Sequence, residues 1–202
     1  MLWNKQLVEQ FECDENNSSD YRVDFFIFGG LSAGMGIPPF EFKRILSNIK
    51  ANKYFFRDPT QSWYQKELKQ KDSQLYKIYH ESRKKGNRSI FIGNSMGGFA
   101  SLMYGAKCRA NEIIAFSPQT TISLLHKLQY RDYRWMKNLI KVYMRYGISS
   151  ENFDVLNEKE RLKEIPKINV YYGVDSQLDA IQALRLLEVP TIGLHAIDNT
   201  DH

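Results

Sequence analysis

Residues 88–106 read Arg-Ser-Ile-Phe-Ile-Gly-Asn-Ser-Met-Gly-Gly-Phe-Ala-Ser-Leu-Met-Tyr-Gly-Ala. The apolar run at 90–92 predicts a buried strand, and the apolar residues after the last glycine pair recur at helical spacing. Between them, Gly93-Asn94-Ser95-Met96-Gly97 matches G-x-S-x-G, a sharp strand-to-helix turn that presents a serine at the end of a sheet. Glycines suit the positions two before and two after the serine, because side chains there would collide in so tight a turn.

Ser95 is the candidate catalytic residue in this turn. The turn places it at the N-terminus of the following helix, where the partial positive charge of the helix favours a developing oxyanion. The backbone N–H of Met96 is then expected to donate one hydrogen bond to that oxyanion. A glycine-rich turn with an incidental serine is the structural alternative. The strand before the motif and the helix after it are the context that the catalytic motif requires, so we expect Ser95 to be a nucleophile.

The motif and its context resemble the nucleophile elbow of the α/β-hydrolase superfamily. The resemblance implies a mostly parallel sheet flanked by helices, a three-layer αβα sandwich, in a single domain over residues 1–202. It makes residues 121–163, which carry no clear strand pattern, a helical cap inserted after a central strand. Hydrophobic runs predict further strands at 21–28, 53–57, 112–116, 168–172 and 191–197. Helical patterns occupy 38–49, 68–84 and 180–187.

A second glycine-rich stretch, Gly29-Gly30-Leu31-Ser32-Ala33-Gly34-Met35-Gly36, follows the first of these strands. The resemblance implies that a loop after an early strand supplies the second oxyanion N–H, here from Gly30 or Leu31. A flexible loop would account for the same glycines. A phosphate-binding loop is less well supported, because the stretch lacks both the Gly-Lys-Ser/Thr ending and the full G-x-G-x-x-G fingerprint.

The resemblance also implies a Ser-His-Asp triad in the chain order Ser, Asp, His. Asp175 and Asp179 both follow the predicted strand at 168–172, where the acid is implied. Asp175 lies nearer the strand end and is preferred, whereas Asp179 could simply cap the next helix. His202 follows the last predicted strand and is the implied general base. Members of the superfamily continue past this histidine into a helix, so we expect either a longer chain or a degenerate member with a weakly held base.

Three aromatic or polar residues are candidate substrate contacts. Trp63 and Gln119 lie in loops that follow strands, at the edge where α/β proteins bind ligands, and Trp135 lies in the implied cap. The loop sequences Phe56-Arg-Asp-Pro-x-Gln-x-Trp-Tyr64 and Phe116-Ser-Pro-Gln-Thr120 also resemble those of hydrolase-like proteins associated with bacterial surface-polysaccharide synthesis.

These features predict a serine hydrolase that acts on an ester or related acyl bond, with glycan deacylation or acyl transfer as its most concrete form. The substrate would be a small molecule or a glycan, and no metal or organic cofactor is implied. The alternative is a catalytically impaired, hydrolase-like protein that binds a glycan or a protein partner.

Composition bears on the cellular location and on the state of the cysteines. In 202 residues no apolar run approaches the ~20 residues of a membrane span. The N-terminus lacks a signal pattern, so a cytoplasmic location is expected. Cys13 and Cys108 have no metal-ligand spacing and are expected to be free thiols.

The net charge of +5 is concentrated in one segment, because six basic residues and one acidic residue lie between His126 and Tyr146. A basic helical face can meet nucleic acid, an anionic substrate or a membrane, although it is more often simply solvated. No nucleic-acid motif accompanies the charge, so no nucleic-acid partner is expected. The sequence does not indicate an oligomeric state.

Overall fold

The computed structural model describes residues 10–31, 40–69, 73–148 and 150–198. In these ranges seven strands form one sheet. The strands are β1 Gln10–Cys13, β2 Val23–Phe28, β3 Asn52–Arg57, β4 Arg88–Asn94, β5 Glu112–Phe116, β6 Ile168–Gly173 and β7 Ile192–Ile197.

The sheet order is β1-β3-β2-β4-β5-β6-β7. β1 pairs antiparallel with β3, and the pairs from β3 through β7 are parallel. The chain therefore runs from β2 outward to β3 and returns to the other side of β2 with β4. The gap between the carboxyl ends of β2 and β4 is the switch point at which open α/β sheets bind ligands.

Eight α-helices are described. They are α1 Lys43–Leu46, α2 Gln65–Leu68, α3 Gln74–Lys84, α4 Met96–Cys108, α5 Leu124–Gln129, α6 Met136–Tyr146, α7 Lys159–Lys163 and α8 Gln177–Leu184. Short 3₁₀ turns occupy Glu151–Phe153, Val155–Glu158 and Arg185–Glu188. The stretch between β5 and β6 is thus helical, apart from one isolated bridge between Thr121 and Asp154.

The central strands β2 and β4 are buried on both faces, which explains why their sequences are continuously apolar. Alternate residues of β2 point to opposite faces. Phe26 and Phe28 join the large core cluster against α4, and Phe25 and Ile27 join a second cluster on the other face. The Phe26 ring stacks on Phe91 of the neighbouring strand with 4.7 Å between ring centroids. The predicted three-layer α/β fold is confirmed.

The predicted helices differ from the observed ones mainly at their ends. The helix predicted at 38–49 is only Lys43–Leu46 in the described part of that range, and Pro38 and Pro39 lie outside the described residues. Phe42 adopts a left-handed conformation with φ 64° just before α1. After α1 the Ser47 hydroxyl donates to the Arg44 carbonyl at 2.8 Å, a local bond that competes with helix continuation.

Two further helix predictions need correction. The stretch at 68–84 holds the end of α2 and all of α3 rather than one helix. The helix predicted at 180–187 begins earlier, at Gln177, because the Ser176 side chain accepts a hydrogen bond from the Asp179 N–H and caps it. Asp179 is therefore not the helix cap, which removes the capping role considered for it.

In the described ranges, no helix has the length and apolar character that crossing a membrane requires. Both cysteines are free, with Cys13 exposed and Cys108 buried. Burial raises the pKa of the Cys108 thiol well above its ordinary value, so this thiol is chemically quiet.

Candidate active site

Ser95 lies between β4 and α4 in the strained backbone conformation that the elbow requires. Its φ of 54° and ψ of −115° fall outside the regions that non-glycine residues favour. Its N–H donates to the Phe116 carbonyl of the neighbouring strand at 2.8 Å, and its carbonyl accepts from the Phe99 N–H inside α4 at 3.0 Å. The surrounding backbone thus holds the strain in place, a pattern that is typical of functional residues.

The two motif glycines are required by close backbone approach. A Cβ on Gly93 would lie 2.1 Å from the Gly97 carbonyl oxygen, and a Cβ on Gly97 would lie 2.2 Å from the Phe28 carbonyl oxygen. No side chain fits at such distances. A Cβ on Gly98 would lie 2.9 Å from the Pro118 Cβ and 3.2 Å from the carbonyl oxygen of Phe116 at the end of β5, so this glycine lets α4 pack closely there.

The loop after β2 lies directly beside Ser95. A Cβ built on Gly30 would lie 3.6 Å from the Ser95 Cβ and 3.0 Å from the Asn94 carbonyl oxygen. The two predicted oxyanion elements, at Met96 and at Gly30 and Leu31, thus follow adjacent strands on either side of the switch point. Residues 32–36 of the second glycine-rich stretch lie outside the described residues.

Glu41 is an acidic residue at this site that the sequence analysis missed. Its carboxylate accepts hydrogen bonds from the Gly30 N–H and from the Asn94 side chain. Burial raises the pKa of Glu41 above its ordinary value, and these two hydrogen bonds only partly offset that effect. The Gly30 N–H is therefore already engaged, which makes Leu31 the simpler choice for the second oxyanion donor. Residue 41 fell within a predicted helix, so no signal singled it out.

The two candidate acids differ sharply in environment. Asp175 is exposed, whereas Asp179 is buried in the first turn of α8 with 1% of its surface accessible. Arg134 Nη1 donates to Asp179 Oδ1 at 2.6 Å. An acid that orients a catalytic imidazole is buried and held by other groups, and Asp179 has that environment.

A buried charge network continues from Asp179 into the segment between β5 and β6. Arg134 Nε also donates to Asp132 at 2.9 Å, and Lys127 Nζ lies 2.9 Å from the same carboxylate. Lys127 and Asp132 are each 1% exposed. Burial alone would raise the pKa of Asp132, but hydrogen bonds from Arg134 and the charge of Lys127 lower it well below its ordinary range.

This network was not predicted from the sequence, because Arg134 and Lys127 were counted with the basic surface of residues 126–146. The available signal was a single acidic residue, Asp132, among several basic ones. It does not reveal burial, which depends on how the segment packs against α8.

Trp63 and Gln119 lie together beside the elbow rather than in an open groove. Both side chains are fully buried, and Trp63 Nε1 donates to Gln119 Oε1 at 2.7 Å. The Gln119 N–H approaches the Ser95 carbonyl at 3.5 Å. Asp58 shapes the loop that carries Trp63, since its carboxylate accepts hydrogen bonds from the Ser62 N–H at 2.7 Å and from the Tyr64 N–H at 3.0 Å.

Two buried donors at these positions have no hydrogen-bond partner in the described part of the chain. They are Gln119 Nε2 and the indole Nε1 of Trp135. Buried donors are normally paired, so each marks a place where an acceptor would be stabilising. Trp135 precedes α6 with φ 61°, and its ring packs against the main core cluster.

His202, the implied general base, lies outside the described residues. The last described strand, β7, is parallel to β6, so the chain leaves the sheet at the edge that carries Ser95. Within the ranges that are described, no group of three or more His, Cys, Asp or Glu side chains is arranged to hold a metal ion.

Comparison with known proteins supports the fold through structure rather than sequence. No protein-family model matches the chain, and no curated protein sequence matches it. Among solved structures, the capsule O-acetyltransferase of Neisseria meningitidis serogroup A is similar with a TM-score of 0.65 and 15% identity, over 95% of this chain and 83% of that one. Another structure of that enzyme contains CoA.

A carboxyl esterase and a serine hydrolase are similar to a comparable degree. Carboxyl esterase 2 of the fungus Tuber melanosporum has a TM-score of 0.61 and 13% identity, over 91% of this chain and 70% of that one. Fluorophosphonate-binding serine hydrolase F of Staphylococcus aureus has a TM-score of 0.59 and 12% identity, over 92% of this chain and 78% of that one. The fold is an α/β-hydrolase fold, as the elbow motif predicted.

Proposed function

We propose that this chain is a serine acyl-ester hydrolase or acyltransferase whose nucleophile is Ser95. The observation that carries the proposal is the elbow itself. A serine with φ 54° stands at the N-terminus of a 13-residue helix, beside a second glycine loop at the switch point of the sheet. Strain of this kind at a helix N-terminus suits a nucleophile that must be held beside oxyanion donors.

In the proposed reaction the Ser95 Oγ attacks the acyl carbonyl while His202 takes its proton. The N–H groups of Met96 and Leu31 donate hydrogen bonds to the oxygen that becomes negative. The tetrahedral intermediate then expels the alcohol, which receives the proton from His202, and the acyl group remains on Ser95. Water or a second hydroxyl attacks the acyl-serine with His202 again as base, and this restores the enzyme.

Asp179 is proposed as the acid that orients His202, in preference to Asp175. Its burial and its ion pair with Arg134 support this choice, because a fixed carboxylate can hold the imidazole in one tautomer. Asp179 lies after β6, two strands from the nucleophile strand in the sheet, at the same carboxyl edge.

The proposed substrate is an acyl ester of a glycan, or an acyl donor whose group is passed to a glycan hydroxyl. The similarity to a capsule O-acetyltransferase, with CoA in one of its structures, supports this class at the level of fold. We propose that residues 121–163 act as a cap over the nucleophile. The unpartnered donors of Gln119 and Trp135 then supply hydrogen bonds to carbonyl or sugar oxygens.

The proposal is tested with a fluorophosphonate probe and with hydrolysis of p-nitrophenyl acetate. The full chain is expected to be labelled and to hydrolyse the ester. The Ser95→Ala variant should lose labelling and at least about a thousandfold of the turnover, because no other group can form the acyl intermediate.

Ser101→Ala is the matched control, since Ser101 is a buried serine of the same helix whose hydroxyl donates to the Gly98 carbonyl at 2.9 Å. It should keep both labelling and turnover. A folded chain that is not labelled would contradict the proposal and favour the impaired, glycan-binding or partner-binding alternative.

A further inference from the structure

Helix α6 presents one face to the core and the other to solvent. Leu139, Val142 and Tyr143 are buried on the inner face. The opposite side, here called the α6 outer face, consists of Lys137, Ile140, Lys141, Met144 and Arg145, all of which are exposed. Ile140 and Met144 are four residues apart and so lie one turn from each other on the same side of the helix.

The apolar side chains of the α6 outer face are highly exposed to solvent. Ile140 is 50% exposed and Met144 is 84% exposed. Other large apolar residues of the same chain segment are also exposed, namely Leu125, Leu128, Tyr133 and Ile148. Exposed apolar side chains that adjoin one another, as Ile140 and Met144 do on this helix, indicate an interaction site, in contrast to scattered ones.

The exposed charged side chains of residues 119–148 are all positive. Asp132 is the only acidic residue between residues 119 and 148, and it is buried against Lys127 and Arg134. Four exposed cations are left, namely Arg131, Lys137, Lys141 and Arg145. None of them forms an ion pair with a carboxylate in the part of the chain that the structure describes. The segment therefore carries uncompensated positive charge among exposed apolar groups.

Exposed cations beside exposed apolar side chains favour an anionic lipid surface over an acidic protein or a polyanionic chain as the partner. Lysine is depleted from the buried part of protein–protein interfaces, whereas the α6 outer face alternates lysine with aliphatic side chains. A polyanionic chain would pair with the cations but would gain nothing from Ile140 and Met144. Apolar side chains that enter the headgroup region, flanked by Lys and Arg beside lipid phosphates, are typical of helices that lie flat on an anionic membrane.

We propose that the α6 outer face binds the surface of an anionic lipid bilayer. The helix lies in the plane of the membrane, with Ile140 and Met144 entering the headgroup region and Lys137, Lys141 and Arg145 contacting phosphates. With 11 residues, α6 is about 16 Å long, so it lies on the bilayer and does not cross it. The proposal concerns binding alone and stands independently of the chemistry assigned to Ser95.

The test is co-sedimentation of the full chain with vesicles at low salt. Vesicles of equal parts phosphatidylcholine and phosphatidylglycerol are expected to bind the chain, and pure phosphatidylcholine vesicles to bind it far less. The double variant Lys137→Glu/Lys141→Glu should lower the partition coefficient by about 20-fold or more, since each cation lost near an anionic surface costs roughly fivefold. Met144→Asp should lower it by about tenfold, because a charged group replaces an apolar one at the headgroup boundary.

Matched controls separate this face from general basicity. Lys77→Glu/Lys84→Glu makes the same change in net charge on the exposed side of α3, and Leu187→Asp makes the same apolar-to-acid change at a residue that is 66% exposed elsewhere. Both control variants should bind the mixed vesicles like the wild type. Circular dichroism establishes that every variant is folded.

Two results would overturn the proposal. One is a folded wild-type chain that does not sediment with the mixed vesicles, which is also the result expected if an acidic protein were the partner. The other is an equal loss of binding in the α6 and control variants, which would mean that the overall charge acts rather than this face. Because sedimentation is measured without turnover, an inactive chain could still bind, and the two proposals fail separately.

Discussion

Glu41 places a carboxylate next to the groups that are proposed to bind an oxyanion. Its side chain accepts from the Gly30 N–H, and the ideal Gly30 Cβ position lies 3.2 Å from its Oε1 and 3.6 Å from the Ser95 Cβ. A negative charge so close to a developing oxyanion would oppose catalysis. The raised pKa of Glu41, caused by burial, favours the neutral form that avoids this cost.

The raised pKa of Glu41 predicts how the free energy of unfolding changes with pH. The folded chain holds the Glu41 proton more tightly than the unfolded chain, so the stability from this group is complete below its ordinary pKa and is lost as pH rises through the raised value. Glu41→Gln mimics the neutral form. The stability of this variant relative to the wild type should therefore increase as pH rises above the ordinary glutamate pKa of about 4.3. Urea unfolding at several pH values measures the difference.

Glu188→Gln is the control for this measurement, because Glu188 is an exposed carboxylate at the far end of the 3₁₀ turn after α8. Its difference from the wild type should stay nearly constant over the same pH range. A Glu41→Gln difference that is equally flat would contradict the assignment of a raised pKa.

Single residues of the site could be predicted from the sequence to different extents. Gly93, Ser95 and Gly97 were identified because the elbow is local and its steric demands appear as fixed spacing; the Cβ distances of 2.1 and 2.2 Å give the reason. The environments of Glu41 and Asp179 could not be identified. Both depend on elements that meet in space but are distant in the chain.

At the scale of elements, the segment between β5 and β6 is anchored to α8 by buried polar contacts. Arg134 and Gln182 both donate to Asp132, and Arg134 also binds Asp179 at 2.6 Å. Arg185 adds a 2.6 Å ion pair to Asp154 at the base of the same segment. The proposed cap and the proposed triad acid are thus held by one network.

This coupling predicts that Arg134 positions the acid without touching the substrate. Arg134→Gln should lower the turnover of small acyl esters by about 10- to 100-fold, because small displacements of a catalytic group are costly. Arg134→Lys should recover part of the loss, since it restores the charge but not the forked geometry. Initial rates are compared at a temperature at which circular dichroism shows each variant to be folded.

Arg131→Gln provides the control at the element scale, because Arg131 is an exposed arginine three residues away. It should retain wild-type turnover. If folded Arg134→Gln were also as active as the wild type, the contact with Asp179 would be structural only, and Asp179 would lose its main support as the triad acid.

At the scale of the whole molecule, most strands of the sheet could be predicted from the sequence, but their order in the sheet could not. All six predicted strands are observed to within two residues at each end, because each of them contains a recognisable apolar run. The antiparallel edge strand β1 and the strand order carry no such local signal, since pairing is decided between distant segments. The α/β-hydrolase fold was reached through the elbow, whose context already implied a parallel sheet.

The ion pairs around Asp132 link the proposed cap, residues 121–163, to α8 beside the sheet, so we expect the proposed cap and the sheet to unfold together. Burial by itself would raise the pKa of Asp132, but Arg134 and Lys127 lower it far below its ordinary value. Unfolding in acid therefore takes up a proton at this group. The stability it contributes is complete above the ordinary pKa of about 3.9 and is lost as pH falls below it.

Asp132→Asn should lower the free energy of unfolding by about 3 kcal/mol near neutral pH, because it leaves the buried Lys127 without its partner. The variant should also lose less stability than the wild type between about pH 5 and about pH 2, since it has no such proton to take up. Urea unfolding followed by tryptophan fluorescence and by far-ultraviolet circular dichroism measures both effects. Asp20→Asn, at an exposed loop, should behave as the wild type. Parallel acid profiles for the wild type and Asp132→Asn would contradict the lowered pKa of Asp132. Separate transitions by the two probes in the wild type would show that this network does not join the proposed cap to the sheet.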